Sequence, residues 1–570
     1  MSVSLITVLI EKILAAKGRK SLADIDRGSV DAIGSNTALL MRILSDNKNT
    51  EYGKKFGFDG ITSVEDFKKK VPFSDYDTYA PYIERMVKNG EKDLITAYPV
   101  IQYAETSGSV GVQKKIPVTD RSMAIYSKYT ITRVCSLADE HYRKILKRKL
   151  PFGKGLNTLE TECTVMDDGT PRGSISGSAA RTYKPLFPYY LTSPIPVLFP
   201  EGGMNMQYMK ARFALEDRDM IFMFSVFMTN LVDIMNYMKN NWELIVDDIE
   251  HGTINEEVCE PEAAEKLKKY LKPNPERAAE LRKIFSEGFD EPIIPKLWKK
   301  MSWICAIGTG GFASYTEKMR QYSGDLPIDF SIYGASEGMF AACRFMSEGK
   351  FIPLTDSCFY EFLPADAPAD ACETDTLTLD QLEEGKEYEI IITNQCGFYR
   401  YRIKDVIRVI GKYKTNPIIT FAYRKSQVVN LAAEKTTEEH LDVSVKRLGA
   451  EAGCTFPDYC IYVDTDAEPA KYVMLVEPDR PLSAEETEGL SEKFEKILCD
   501  VNPEYAVCRY DRSIGDPDVL IQQQQTHALW RDLKMHRGSS SNQVKPVRVL
   551  DVPMKQKFFF GLLEEDKRKK

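Results

Sequence analysis

The sequence predicts a mixed chain, α/β and α+β, in which a large N-terminal domain precedes a small C-terminal one. Three observations carry this. The chain has 570 residues, more than one hydrophobic core usually organises. Between about 326 and 424 the pattern changes from helical spacing to short β-rich runs. After Tyr423-Arg424-Lys425 it changes again, to an alternation of helix and strand over about 140 residues, the size of an independent domain. The division reads 1–425 and 430–570.

Residues 1 to about 95 are helical in pattern, broken by turns such as Lys70-Val71-Pro72-Phe73-Ser74-Asp75. The first helix sets Leu5, Ile6, Leu9, Ile10, Ile13 and Leu14 on one face, which is expected to pack on the main domain. Glu11 and Lys12 cut that run and no basic segment precedes it, unlike a signal peptide. No stretch approaches the ~20 apolar residues of a membrane span. A strand is expected from Ile95 to Ala104, and Asp120 is placed to cap a helix reaching about Lys149. Residues 205–300 return to helical spacing, with Val232–Trp242 amphipathic. The β-rich region offers Ile328–Tyr333, Met339–Phe345, Phe359–Leu363, Tyr388–Thr393, Tyr399–Ile403 and Val406–Ile410. Thr436 and Glu439 have capping-box spacing for a helix to about Leu448. Strands near 459–464 and 471–477 and a helix near 484–499 follow.

Composition narrows the partners. A net charge of -8 repels polyanions, so nucleic acid is not an expected ligand. The basic run Arg143, Lys144, Lys147, Arg148, Lys149 reads as a helix C-terminus favoured by the dipole. Twelve cysteines without a C-x-x-C pair, and five histidines without ligand spacing, argue against zinc or a disulfide framework. Reduced thiols in a cytoplasmic protein are the expectation, with neither nucleic acid nor membrane as partner.

Three strings carry chemistry. Thr106-Ser107-Gly108-Ser109-Val110-Gly111-Val112-Gln113-Lys114 combines hydroxyls, glycines and a lysine, the make-up of a loop whose N–H groups cradle phosphate. Its glycines do not fit G-x-x-x-x-G-K-[ST], and β-type residues with Pro117 follow it, so the loop joins two strands instead of opening a helix. A plain Ser/Gly hairpin turn has the same composition. Gly308-Thr309-Gly310-Gly311 fits a dinucleotide fingerprint only loosely. Tyr333-Gly334-Ala335-Ser336-Glu337-Gly338 puts a carboxylate on a tight loop between β-runs, where a magnesium ligand can sit; a surface turn is the alternative. In Tyr399-Arg400-Tyr401-Arg402-Ile403-Lys404-Asp405, alternation sets Arg400, Arg402 and Lys404 opposite Tyr399, Tyr401 and Ile403. Asp405 breaks the strand pattern there, as a ribose-binding acid or as a bulge or turn residue.

Together, in this order, these strings resemble the nucleotide motifs of the adenylate-forming superfamily, which includes acyl-CoA synthetases and luciferases. The finer resemblance is to the auxin-responsive promoter family of acyl acid amido synthetases. It extends over most of the chain, through Thr50-Glu51-Tyr52-Gly53, Val71-Pro72-Phe73, Pro81-Tyr82-Ile83, Glu361-Phe362-Leu363, Gly397-Phe398-Tyr399 and Asn542-Gln543-Val544-Lys545-Pro546-Val547-Arg548. The resemblance implies a large N-terminal adenylate-forming domain of β-sheets, helices and a small β-barrel, with a small mobile α+β domain swinging about Arg424–Asn430. It implies ATP and Mg2+ as cofactors, and a small-molecule carboxylic acid and an amino acid or other amine as substrates. Thr106, Ser107, Gly108, Ser109, Gly111 and Lys114 would hold the ATP phosphates. Gly310, Gly311, Tyr333, Gly334, Ala335, Ser336 and Tyr401 would line the adenine and acyl-carboxylate region. Glu337 would ligate the metal, Asp405 and Arg424 would hold the ribose, and Lys545 would act with Lys114 as a catalytic cation at the phosphates.

The sequence also departs from the plant-type pattern. Its first loop is one residue shorter, with Val110 at a usual hydroxyl position. Lys404 stands where a glycine precedes the ribose aspartate, and Gly334-Ala335 replaces a more polar pair. Two rivals stand beside the amido synthetase: a ligase using coenzyme A as acceptor, and a nucleotide-binding scaffold without activity. Lys114, Glu337, Asp405 and Lys545 occurring together count against the scaffold, which needs neither metal ligand nor mobile lysine.

Overall fold

The computed structural model describes residues 4–106, 114–159, 161, 163–165, 169–367, 374–425, 429, 431, 434, 436–510, 512–536 and 544–564. The chain forms two compact units that part between Phe421 and Ala422, with Lys404–Val406 belonging to the second.

In the first unit, a four-stranded parallel sheet runs in the order Gly155–Asn157, Phe222–Phe227, Trp303–Ile307, Ile328–Asp329. Both faces are covered. Met223, Ile304 and Ala306 point into a core shared with the helices Met206–Glu216, Met228–His251 and Pro275–Ser286. Phe222, Trp303 and Cys305 point into another with the helices Leu5–Gly28 and Ile131–Lys144. Strands buried on both sides show no polar alternation, which explains why Phe222–Phe227 lies hidden inside a stretch of helical spacing. Arg133 ties the helix Ile131–Lys144 to the strand ends, bonding the Asp329 carboxylate and the carbonyls of Ser331 and Cys343.

A second, mixed sheet has the order Lys114–Thr119, Val100–Thr106, Pro171–Gly173, Cys163–Val165. Its strand Val100–Thr106 begins later than the expected Ile95. The helix after it begins with Asp120 as its first residue. Thr119 is the cap, in a reciprocal box with Ser122. That helix stops at Tyr129, and the next ends at Lys144, where Arg143 and Lys144 bond Asp139 and Glu140.

Where the sequence implies the small β-barrel there is a seven-stranded sheet: Cys358–Pro364, Glu387–Asn394, Tyr401–Tyr413, Asn416–Arg424, Phe351–Pro353, Gly338–Cys343, Ile332–Ala335. One expectation fails here. Asp405 does not end a strand, because Tyr401–Tyr413 is continuous, with Lys404 at φ 68°. Arg400 and Arg402 share a side as expected, their guanidiniums 4.4 and 5.6 Å from the centre of the Phe73 ring. Arg400 is fully buried there, its guanidinium bonding Glu361 and the carbonyls of Lys68 and Val71.

The first helix also differs. Ile10 and Leu14 are buried, whereas Leu5, Ile6, Leu9 and Ile13 are exposed. The buried stripe is rotated onto Thr7, Glu11 and Gly18, and a Cβ at Gly18 would stand 1.8 Å from the carbonyl oxygen of Thr132. Close approach of the helix Ile131–Lys144 thus decides which face goes inward.

The second unit is built on a three-stranded sheet, Asp458–Asp464, Lys471–Glu477, Asp518–Ile521. Tyr459, Ile461, Met474 and Val476 face the helices Glu438–Ala452 and Leu490–Val501, while Cys460, Val473 and Leu475 face Thr526–His536 and Pro553–Gly561. The capping box lies one residue later than its expected place, Thr437 with His440 instead of Thr436 with Glu439, because Thr436 is buried and bridged to Val429. Of the expected hinge Arg424–Asn430, residues 426–428 and 430 lie outside the described residues. No described helix is long and apolar enough to cross a membrane, and the ten cysteines whose side chains are described are free thiols.

Candidate active site

The phosphate-loop candidate is pinned at both ends. Thr106 and Lys114 are paired across an antiparallel ladder, so the loop does join two strands. Ser107, Gly108, Ser109, Val110, Gly111, Val112 and Gln113 lie outside the described residues. Lys114 rests its ammonium 5.1 Å from the centre of the Tyr76 ring, and the Tyr76 hydroxyl accepts the Lys115 N–H at 2.9 Å. Burial raises the Tyr76 pKa, helped by the nearby negative charge of Glu337.

Ala335 pairs with Gly338, so Ser336 and Glu337 are the two turn residues of a tight hairpin. The hairpin is held from behind by Asn394, whose Nδ2 donates to the Glu337 carbonyl at 2.6 Å and whose Oδ1 accepts the Cys396 N–H at 2.9 Å. Tyr401 donates its hydroxyl to Glu337 Oε1 at 3.3 Å. Burial and the Glu337 charge both push the Tyr401 pKa up, so it remains a donor. Ala335, Ser336 and Glu337 line a cavity together with Ser122, Tyr126 and Cys396. Glu337 is the one charged side chain among the described residues of that lining.

Tyr333 stands beside this wall, buried, with its ring 6.0 Å from Phe421. Gly334 is crowded by the Gly338 carbonyl, 2.9 Å from where a Cβ would be. Gly310 opens a short helical turn at φ 60°, and a Cβ there would lie 2.8 Å from the Phe421 ring. Glycine is required on both counts. Gly311 continues the same turn.

Asp405 and Arg424 belong to the second unit. Asp405 is buried, and Arg424 Nε donates to its Oδ1 at 2.5 Å. Lys404, at φ 68° and exposed, occupies the position where the resembling family has glycine. A left-handed residue with a Cβ costs about 1–2 kcal/mol, which is the physical reason glycine suits that place. Lys545 is exposed on the segment 544–550. That segment is anchored by Arg548, buried over the Tyr459 ring at 4.3 Å, and by backbone bonds of Arg548 and Leu550 to Ile461. Tyr76, Ser122, Tyr126 and Asn394 escape sequence reading. Only the turn character of Asn394-Gln395-Cys396-Gly397 was there to be seen. A cluster of Asp247, Glu250 and His251 could hold a cation, but it is surface-exposed and its carboxylates pair with Arg282.

Among solved structures, the GH3.15 acyl acid amido synthetase matches over 94% of each chain with a TM-score of 0.81 and 24% identity, which establishes the shared fold. The GH3 family N-terminal domain matches residues 22–328, the central domain 351–424 and the C-terminal domain 439–553. The chain belongs to the GH3 family. It is 29% identical to indole-3-acetic acid-amido synthetase GH3.3 of Arabidopsis thaliana, covering 90% of this chain and 88% of that one. It is 28% identical to 4-substituted benzoates-glutamate ligase GH3.12 of the same plant, over 93% and 94%.

Proposed function

We propose that this enzyme uses ATP to convert a carboxylic acid to its acyl-adenylate and passes the acyl group to the amine of an amino acid. The observation that carries the reading is the Glu337 hairpin: one carboxylate fixed on the wall of an otherwise uncharged cavity, in a chain of the GH3 family.

In the first half-reaction an oxygen of the substrate carboxylate attacks the α-phosphorus of ATP and pyrophosphate leaves. In the second the amine nitrogen attacks the acyl carbon, loses a proton, and AMP leaves. The protein's part is positioning and neutralising charge. The strand-pinned loop around Lys114 receives the phosphates, Asp405 and Arg424 receive the ribose, and the Gly310-Gly311 turn with Tyr333 borders the adenine. A lone carboxylate with a hydroxyl donor on one oxygen suits Mg2+, which takes one or two carboxylates and completes its shell with phosphate oxygens and water. Glu337 would hold it, and when bound it neutralises phosphate charge. Lys545 comes from the second unit to the α-phosphate and the attacking carboxylate.

The test is ATP–pyrophosphate exchange over a panel of acids, followed by product analysis with amino acids or coenzyme A. Acid-dependent exchange, AMP release and an amide product are expected. ADP as the stoichiometric product would overturn the adenylation reading, and a thioester would replace the amine by coenzyme A.

A further inference from the structure

A second cavity lies in the same unit, and Tyr126 faces both it and the cavity beside Glu337. The two meet elsewhere too: neighbouring residues of the helix Ile175–Tyr183 divide between them, Ile175 in the first and Ser176 in the second. The walls of the second cavity are mostly apolar, with Ile10 and Leu14 of the first helix, Phe187, and Phe222 and Phe224 of the parallel sheet, and Thr130, Asn157, Ser176, Tyr183 and Tyr190 adding neutral polar groups. Among the described residues lining it there is no Asp, Glu, Lys, Arg or His. Such walls do not repay the desolvation of a second carboxylate or an ammonium, but they can take methylene groups. Tyr126 is half-buried, and among the described residues its hydroxyl has no hydrogen-bond partner, so turning the ring breaks no bond.

We propose, resting on the adenylation reading above, that the cavity behind Tyr126 receives the hydrocarbon tail of a long, unbranched monocarboxylic acid. Its carboxylate lies beside Glu337 and the chain passes Tyr126. The substrate class is therefore aliphatic monocarboxylic acids longer than the first cavity can enclose. Short acids fill the first cavity alone.

The experiment measures kcat/KM for acid-dependent pyrophosphate exchange with straight-chain acids from butyrate to hexadecanoate. Each methylene that enters an apolar wall is expected to raise kcat/KM about fourfold, until the cavity is full. Dicarboxylates of matching length should not exchange. Ala180, on the cavity wall, is the place to fill it. Ala180→Phe should lower the dodecanoate-to-butyrate ratio by about fifteenfold, the worth of two excluded methylenes. Leu14→Trp should do the same from the opposite element. Because the readout is a ratio within one preparation, partial unfolding does not mimic it. Exchange that is flat with chain length, or a ratio unchanged in both variants, overturns the proposal while leaving adenylation standing. No exchange with any straight-chain acid overturns the proposal alone, and no exchange over the wider panel of acids overturns both.

Discussion

The Glu337 hairpin of the first unit and the Lys545 segment of the second each present one charged side chain and are each held from behind by a buried polar residue. The holders differ in kind. Asn394 is neutral and bonds backbone groups of Glu337 and Cys396. Arg548 is a buried guanidinium, 3.4 Å from Asp458 Oδ1 and 3.3 Å from Glu438 Oε1, the latter an ion pair without a well-formed hydrogen bond at Nε. A neutral amide keeps a turn rigid at any pH. A buried ion cluster keeps a segment in place only while its charges stay balanced, since removing one partner strands the others. The contrast suits the roles proposed above for Glu337 and Lys545.

The largest test breaks the charged holder. Arg548→Ala leaves Glu438 and Asp458 without their guanidinium and is expected to destabilise the second unit by ~3–5 kcal/mol, read by denaturant unfolding. A loss below ~1 kcal/mol would make Arg548 an ordinary surface-type pair.

Lys545→Ala keeps Arg548 in place and removes the Lys545 charge, which also acts on Glu438. A positioned donor is worth ~3–4 kcal/mol, so adenylation should slow by roughly a hundredfold to a thousandfold. Amide formation from a supplied acyl-adenylate should change far less. Equal losses in both half-reactions would contradict the assigned role.

On the hairpin side, Glu337→Gln exchanges an anionic oxygen for a neutral one without altering the turn. The Mg2+ concentration for half-maximal adenylation should rise on the order of tenfold or more, with the unfolding curve unchanged. An unaltered Mg2+ dependence would return Glu337 to a plain turn residue.

The smallest effect is in pH. Burial is the largest influence on Glu438 and raises its pKa above the usual 4.5, against the opposing pull of Arg548. A carboxyl raised in the folded state contributes stability that is fully present below 4.5 and is lost as pH rises through the raised value. The second unit should therefore lose stability across that window, and Glu438→Gln should flatten the loss. Asn394 has no proton to exchange, so the hairpin side should show no matching term. Identical pH profiles for wild type and Glu438→Gln would remove the contrast.

Much of the site was legible because it is local. The Ser336-Glu337 turn, the Thr106–Lys114 loop between strands and the Lys545 string each depend on residues a few positions apart, and spacing reports that. What stayed hidden depends on distant partners. Asn394 reaches Glu337 across 57 positions, and Arg400 reaches Glu361 across 39. Alternation placed Arg400 with Arg402, and both do lie on the Phe73 ring, but it gave no sign that Arg400 is fully buried.

The sequence by itself determined most helices and strands and the family to which the chain belongs. These follow from periodicity, turn residues and short motifs, all properties of neighbouring residues. Only the tertiary structure decided which face of the first helix is buried, because Gly18 lets the helix Ile131–Lys144 approach within reach. It alone decided that Asn394 supports the hairpin and that Tyr126 stands between two cavities. Each of these depends on side chains converging from separate elements, and no local pattern records where distant surfaces meet.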